Sequence, residues 1–277
     1  MNLEELIQHA LAEDIGDGDH SALACIPEDA TGSAQLLVKE DGVIAGLEVS
    51  NLIFKMVDQT IRVNQFIQDG DAVKKGDIAF KVSGKSHSIL KAERLVLNIL
   101  QRMSGIATKT AHLKSLVADT NVTLLDTRKT TPNLRLLEKM AVTIGGGNNH
   151  RMGLYDMIML KDNHIDYAGG IAQAIQKTKA YLKTRQLALK IEVEARDLQE
   201  VREILLAGPV DRIMLDNFSF EDIKTALKLI NGRCETEASG GITEETIAQY
   251  AQCGVDYISV GALTHSVKSL DLSLKAL

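Results

Sequence analysis

From Val122 onward, short runs of β-branched and aliphatic residues alternate with segments whose apolar positions recur every three or four residues. The runs VTLLDT (122–127), MIML (157–160), LKIEVE (189–194), RIMLDN (212–217), CETEASGG (234–241) and YISVG (257–261) predict strands. Between them IAQAIQKTKAYLK (171–183), LQEVREILL (198–206), FEDIKTALKLI (220–230) and EETIAQYA (244–251) predict amphipathic helices. Ser219 and Thr243 occupy expected N-cap positions, each followed by acids that favour a helix start. Strand and helix alternating at roughly 20–35 residue spacing is the βα repeat of a parallel sheet or barrel.

The first hundred residues follow another pattern. A helix is predicted at 2–12, extended runs at GSAQLLVKE and GVIAGL, and a helix at 49–57. A turn-rich stretch, IRVNQFIQDGDAVKKGDIAFKVSGK, leads into a long helical segment at 90–118. This predicts a separate N-terminal α+β domain over residues 1–104, with its boundary inside the long helical segment near Ser104-Gly105. The α/β barrel is then expected over 105–264.

With 277 residues, 45% of them hydrophobic and 25% charged, the chain can build a sizeable core. A formal net charge of -6, no Trp and 4% aromatics argue against a nucleic-acid partner, which needs a basic face or stacking platforms. Apolar runs long enough to span a bilayer are missing, and MNLEELIQHALAEDIGDGD is acidic rather than leader-like. No membrane association and a cytoplasmic location are therefore expected. Cys25, Cys234 and Cys253 lack the spacing of a zinc site or a disulfide framework, and are expected to be small buried hydrophobes.

Against that acidic background, residues 128–161 carry six cations and two acids. Such a concentration implies an anionic ligand. Arg135 and Lys139 fall on a predicted helix and are expected to face solvent. The rest lie at or beside strand ends, where an α/β barrel places its active site. In chain order those ends supply Asp126 with Arg128 and Lys129, then Lys161, Glu194, Asp216, the Ser239-Gly240-Gly241 turn, and Gly261-Ala262. The SGG turn, leading to a helix expected near Thr243, and VGALTHS after the last strand suggest a phosphate cradle of backbone N–H groups. Arg128, His150 and Arg151 offer planar donors suited to carboxylates. Lys129 and Lys161 are compact charges suited to a polyphosphate, and Glu194 and Asp216 suit a divalent cation or ribose hydroxyls.

The segments DTRKTTPNLRLLEKMAV, GGGNNHRMGLYDMIMLKDNHI, IEVEA, MLDNFS, EASGGIT and GVDYISVGALTHS together resemble the quinolinate phosphoribosyltransferase family. The resemblance continues upstream through LAEDIGDGDHS, GVIAGL and AERLVLNILQRMSGIAT, so it covers almost the whole chain in order. It implies an open, incomplete α/β barrel of TIM type beside a separate N-terminal α+β sandwich-like domain, to which residues 265–277 return. The implied reaction joins quinolinate to phosphoribosyl pyrophosphate (PRPP), giving nicotinate mononucleotide, pyrophosphate and carbon dioxide in de novo NAD biosynthesis, with Mg2+ as cofactor. Arg94, Arg128, His150 and Arg151 would then hold quinolinate, with Arg94 supplied by the neighbouring subunit of a homodimer or larger assembly. Lys129 and Lys161 would contact PRPP, Glu194 and Asp216 would serve the ribose and the metal, and Ser239, Gly240, Gly241, Gly261 and Ala262 would surround the 5'-phosphate. Lys129, Lys161, Glu194 and Asp216 are the expected catalytic set.

Two positions depart from the family pattern. Asn133 stands where Gly is frequent in TTPGLR, and Thr143-Ile144 precedes the glycine run where arginine is frequent. Asn tolerates a left-handed backbone, which makes the first departure benign. Two rival readings share the barrel: a paralogue acting on another anion, and a Schiff-base aldolase using Lys161. The aldolase leaves the arginine pair and the two acids without a purpose.

Overall fold

A computed structural model describes residues 2–277. Along the chain the elements are α1 (Leu3–Ile15), α2 (His20–Cys25), β1 (Thr31–Val38), β2 (Gly42–Val43), α3 (Leu47–Val57), β3 (Arg62–Gln65), β4 (Ala72–Val73), β5 (Ile78–Lys85) and α4 (Ser86–Ser115). There follow β6 (Thr123–Leu125), α5 (Arg135–Ile144), β7 (Ile158–Leu160), α6 (Asp162–Ala168), α7 (Ile171–Arg185), β8 (Ile191–Ala195), α8 (Leu198–Ala207) and β9 (Arg212–Asp216). The chain ends with α9 (Phe220–Ile230), β10 (Glu235–Ser239), α10 (Ile247–Gln252), β11 (Tyr257–Ser259), α11 (Ala262–His265) and β12 (Leu272–Ala276). Among the described residues no helix is long and apolar enough to cross a membrane.

Two compact units emerge, and both are discontinuous in sequence: 1–111 with 130–146 and 262–277, and 112–129 with 147–261. Helix α4 runs unbroken through the boundary expected inside the long helical segment at Ser104-Gly105. The span expected for the barrel, 105–264, gives up α5 and both of its ends to the first unit.

In the first unit an antiparallel sheet has the order β12-β1-β5-β3. Alternate residues of β1 point inward, burying Ala34, Leu36 and Val38, and Phe80 of β5 meets Phe54 of α3 edge to face. Residues 272–276 pair with 34–38 at the edge of this sheet. Helix α5 belongs here as well: the Glu138 carboxylate accepts from Arg102 at 2.8 and 3.1 Å and from the Thr131 amide at 3.1 Å. Lys139, expected in solvent, is fully buried, while Arg135 is half-buried and donates to Thr130 Oγ1. The expectation failed because α5 is covered on more than its apolar stripe, so that two adjacent charged side chains lie inside. Cys25 is also not the buried hydrophobe expected; it is exposed at the end of α2 with its thiol on the Ser21 carbonyl.

The second unit is an open α/β barrel. Its parallel sheet runs β6-β11-β10-β9-β8-β7, and a bridge from Leu125 to Asn148 extends it beyond β6. Helices α7, α8 and α9 pack on one another in succession along it. Ser219 caps α9 as expected, with its hydroxyl accepting from the Asp222 amide. Thr243 does not begin a helix: α10 starts at Ile247, and Thr243 instead turns back so that its amide donates to Thr246 Oγ1.

Strand periodicity determines what fills this barrel. Glu192 and Glu194 share one face of β8, Arg212, Met214 and Asp216 share one face of β9, and Glu235, Glu237 and Ser239 share one face of β10. Register places Glu237 beside Met214, Ser239 beside Asp216, and Glu194 beside Met214 on its other flank. Parallel strands covered on both sides are ordinarily apolar throughout. Here the other face follows that rule, with Val193, Ile213, Leu215 and Ala238 buried, while the face carrying the acids is charged.

Candidate active site

The top layer of that charged face holds Glu194, Asp216 and Ser239. Lys161 follows β7 and caps α6, where its amide donates to His164 Nδ1, and its Nζ lies 2.7 Å from Glu194 Oε2. Asp216 ends the next strand beyond Glu194. Burial, then the charge of Glu194, push its carboxyl above the ordinary range, against the pull of Lys161 and an Asn217 amide at 2.7 Å. Two carboxylates so coupled through oxygen donors fit a hard divalent cation, and one lysine only partly offsets them.

Arg128 and Lys129 are exposed beyond β6, with the Lys129 amide donating to Thr127 Oγ1. Arg151 is half-buried; burial and the charge of Arg128 hold its guanidinium below its ordinary pKa, while Glu192 and Asp156 act the other way. Two guanidinium groups that feel each other's charge suit an anionic ligand. The Arg151 Nη1 also donates to the Met157 carbonyl at 3.4 Å.

His150 does not present its ring as expected. Its side chain is 4% exposed, with Nε2 lying 3.1 Å from Glu192 and 3.3 Å from Glu237 and Nδ1 accepting from the Arg151 amide at 2.6 Å. Burial lowers its pKa, and the two carboxylates more than reverse that, to about 9. The Arg151 amide works against a second ring proton, since an acceptor at Nδ1 leaves the hydrogen on Nε2. The Nε2 edge of the ring therefore faces both acids. Its own backbone amide donates to Asp126 Oδ1 at 2.8 Å, so a fully buried aspartate ties the loop of His150 to the end of β6.

At the phosphate-cradle candidate, Gly240 has φ +92° and Gly241 φ +59°, a left-handed turn that β-carbons disfavour. A Cβ on Gly240 would stand 2.2 Å from Asn217 Oδ1 and 2.9 Å from the Asn217 amide. Ser239 ends β10, and Gly261 follows β11 with its chain neighbour Ala262 opening α11. The cradle is thus a glycine turn rather than the helix start expected near Thr243. Arg94 is exposed on α4, in the first unit.

Sequence reasoning passed over Asp126 as a structural anchor, and over Glu192, Glu237 and Arg212. Arg212 lies 2.9 Å from Glu237, 3.2 Å from Glu235 and 3.9 Å from Glu192, with its guanidinium 3.8 Å from the centre of the Tyr257 ring. The signal was present in IEVE and ETEAS, whose alternating acids mark one inward face of a strand. His150, Glu192 and Glu237 offer ligand atoms within 4.8 Å of one another. Arg212 supplies a cation beside this trio, pairing with Glu237 at 2.9 Å and standing 3.9 Å from Glu192.

Comparison with known proteins places this geometry. The quinolinate phosphoribosyl transferase N-terminal domain matches residues 19–104 and the C-terminal domain residues 106–275. The chain is 50% identical to quinolinate phosphoribosyltransferase [decarboxylating] 1b of Nicotiana tabacum, over 99% of this chain and 82% of that protein. It is 42% identical to the probable nicotinate-nucleotide pyrophosphorylase [carboxylating] of Bacillus subtilis, over 99% and 93%. The crystal structure of NadC from Streptococcus pyogenes superposes with a TM-score of 0.93 at 42% identity, covering 99% of this chain and 97% of that one. With both domains matched in order, relatives at half identity and strand ends that carry the expected cations and acids, the chain belongs to the quinolinate phosphoribosyltransferase family.

Proposed function

We propose that the chain converts quinolinate and PRPP to nicotinate mononucleotide, pyrophosphate and carbon dioxide, as a carboxylating-type nicotinate-nucleotide pyrophosphorylase of de novo NAD biosynthesis. The observation that carries this reading is that one barrel unit holds Arg128 and Arg151, and also the Lys161–Glu194 ion pair with Asp216 on the next strand. One set suits a dicarboxylate; the other suits a sugar with its leaving group.

Arg128 and Arg151 hold the two carboxylates and orient the pyridine nitrogen. Lys129 meets the pyrophosphate. Lys161 stands over the reacting region, and Glu194 and Asp216 receive the ribose hydroxyls and stabilise positive charge as it develops on the sugar carbon. The turn at Ser239, Gly240 and Gly241, with Gly261 and Ala262, receives the 5'-phosphate. Glu194 and Asp216 would hold Mg2+, largely through the substrate, and the ion would supply charge neutralisation of the departing pyrophosphate. The pyridine nitrogen forms its bond to the sugar carbon as the bond to pyrophosphate breaks. The resulting pyridinium takes up the electron pair left when the adjacent carboxylate departs as carbon dioxide. Lys161 is held in an ion pair with Glu194, which suits a charged donor better than the amine nucleophile of an aldolase.

The exposed Arg94 is assigned to the site of a second copy of the chain, in a homodimer or larger assembly. Mixing Arg94→Ala chains with Lys161→Ala chains then restores part of the activity that each lacks alone; no recovery would place Arg94 elsewhere. The reaction itself is tested by measuring carbon dioxide and nicotinate mononucleotide from quinolinate, PRPP and Mg2+, with nicotinate in parallel. Stoichiometric products from quinolinate alone are expected. Silence with quinolinate would assign the fold to another anion.

A further inference from the structure

One pleat below the proposed reaction centre lies a second charged layer that the mechanism above does not use. Glu192 is two residues before Glu194 on the same face of β8, and Glu237 is two before Ser239 on β10. Both are fully buried, with Arg212 nearly so beside them on β9. Charges taken this far out of water persist only when they are matched.

Matching them leaves one acid over. Arg212 is committed to Glu237 at 2.9 Å and Glu235 at 3.2 Å, and comes only within 3.9 Å of Glu192. The His150 ring packs against Glu192, with Nε2 3.1 Å from its carboxylate, and accepts from the Arg151 amide at Nδ1. Glu192, His150 and the Arg151 backbone thus form a continuous path from a buried acid to one arm of the carboxylate clamp.

We propose that Glu192 is a positioning residue for quinolinate: packed against the His150 ring, which in turn accepts from the Arg151 amide, it holds Arg151 in place until a carboxylate arrives. His150 is on this view a relay within the protein, not a ligand to the substrate. The inference rests on the quinolinate reading of the site.

The two ways Glu192 could matter have opposite signs. As a bare buried charge it would repel a dianion, and neutralising it would tighten quinolinate binding. As a positioning group, its loss weakens binding. Steady-state kinetics of Glu192→Gln in the full-length protein, varying each substrate, separates them. Losing a charge-assisted contact is expected to raise the quinolinate KM about tenfold or more. The PRPP KM should stay within roughly twofold, because Lys129 and the glycine turn are untouched. An unchanged or lowered quinolinate KM overturns the proposal, as does an equal rise for both substrates. Adding Glu192→Gln to Arg151→Ala should change the quinolinate KM by less than roughly twofold, since the arm being positioned is gone; a full additional effect also overturns it. If Glu192→Gln is not recovered folded, Glu192→Asp keeps the charge but withdraws it by one methylene. It should raise the quinolinate KM selectively, and a wild-type value would refute the idea. A wild-type protein inactive on quinolinate would instead refute the functional reading beneath it.

Discussion

Replacing Lys161 with Met separates what this residue does for the fold from what it does for the reaction. Its ammonium is 2.7 Å from Glu194, but its side chain is 44% exposed while that of Glu194 is 8% exposed. An ion pair with one wet partner contributes at most about 1 kcal/mol to stability. For a chain of this size that corresponds to a Tm loss of roughly 2–4 °C. On the proposed mechanism the same ammonium would face charge that develops only as pyrophosphate departs. Removing one such preorganised donor costs on the order of 3 kcal/mol in the barrier, or about a hundredfold or more in kcat. The assay is release of carbon dioxide from carboxyl-labelled quinolinate at saturating PRPP and Mg2+, paired with thermal unfolding of the same preparation. A kcat within tenfold of wild type in Lys161→Met would refute the assignment. So would a Tm loss large enough to account for the missing activity, because the lysine would then be structural.

Three further outcomes follow from local geometry. Gly240→Ala puts a Cβ against Asn217 at a backbone with φ +92°; it should cost roughly 1–3 kcal/mol in a denaturant titration and raise the PRPP KM more than the quinolinate KM. Asp58 accepts from the Thr60 hydroxyl and amide and from Ser88, contacts that pull its pKa from 3.8 down to about 2. Its folded-state pKa is depressed, so its contribution is complete above the unfolded value and disappears as pH falls through about 2; the Tm gap between wild type and Asp58→Asn should close as pH is lowered from about 4 to about 2. Glu138→Ala leaves Arg102 and the Thr131 amide without their acceptor in the first unit. Because Arg102 is partly exposed, the expected loss is about 2–3 kcal/mol by chemical denaturation, and a loss near zero would mean that water replaces the carboxylate.

The strands of the barrel were legible because each aliphatic run leads into a polar or glycine position, and among these Glu194, Asp216 and Ser239 stand at the top of one face. Asn133 was legible for a similar local reason: its expected left-handed backbone is found at φ +66°. What stayed hidden depends on distance along the chain. Glu192, Arg212 and Glu237 become partners only through strand neighbours, and the contact between His150 and Glu237 joins residues 87 positions apart. Periodicity could have shown that Glu192 faces inward; it could not have shown what waits there. Lys139 was misjudged because its helix was assumed to have a wet back. The glycine turn at 240–241 was recognised, but the helix after it was started too early, since Thr243 spends its amide on Thr246.

The pairing of residues 272–276 with 34–38 gives the chain a particular order of assembly. On a ribosome the strand Thr31–Val38 emerges long before the segment that will occupy its edge, and nearly the whole barrel is synthesised in between. Until then that edge is an unpaired row of backbone groups, open to the wrong partner. The barrel unit, by contrast, has all its strands once residue 261 has been made. A nascent chain arrested shortly after that point should therefore protect its barrel from protease while the sheet around β1 stays cleavable, and release of the last strand should be the event that locks the first unit.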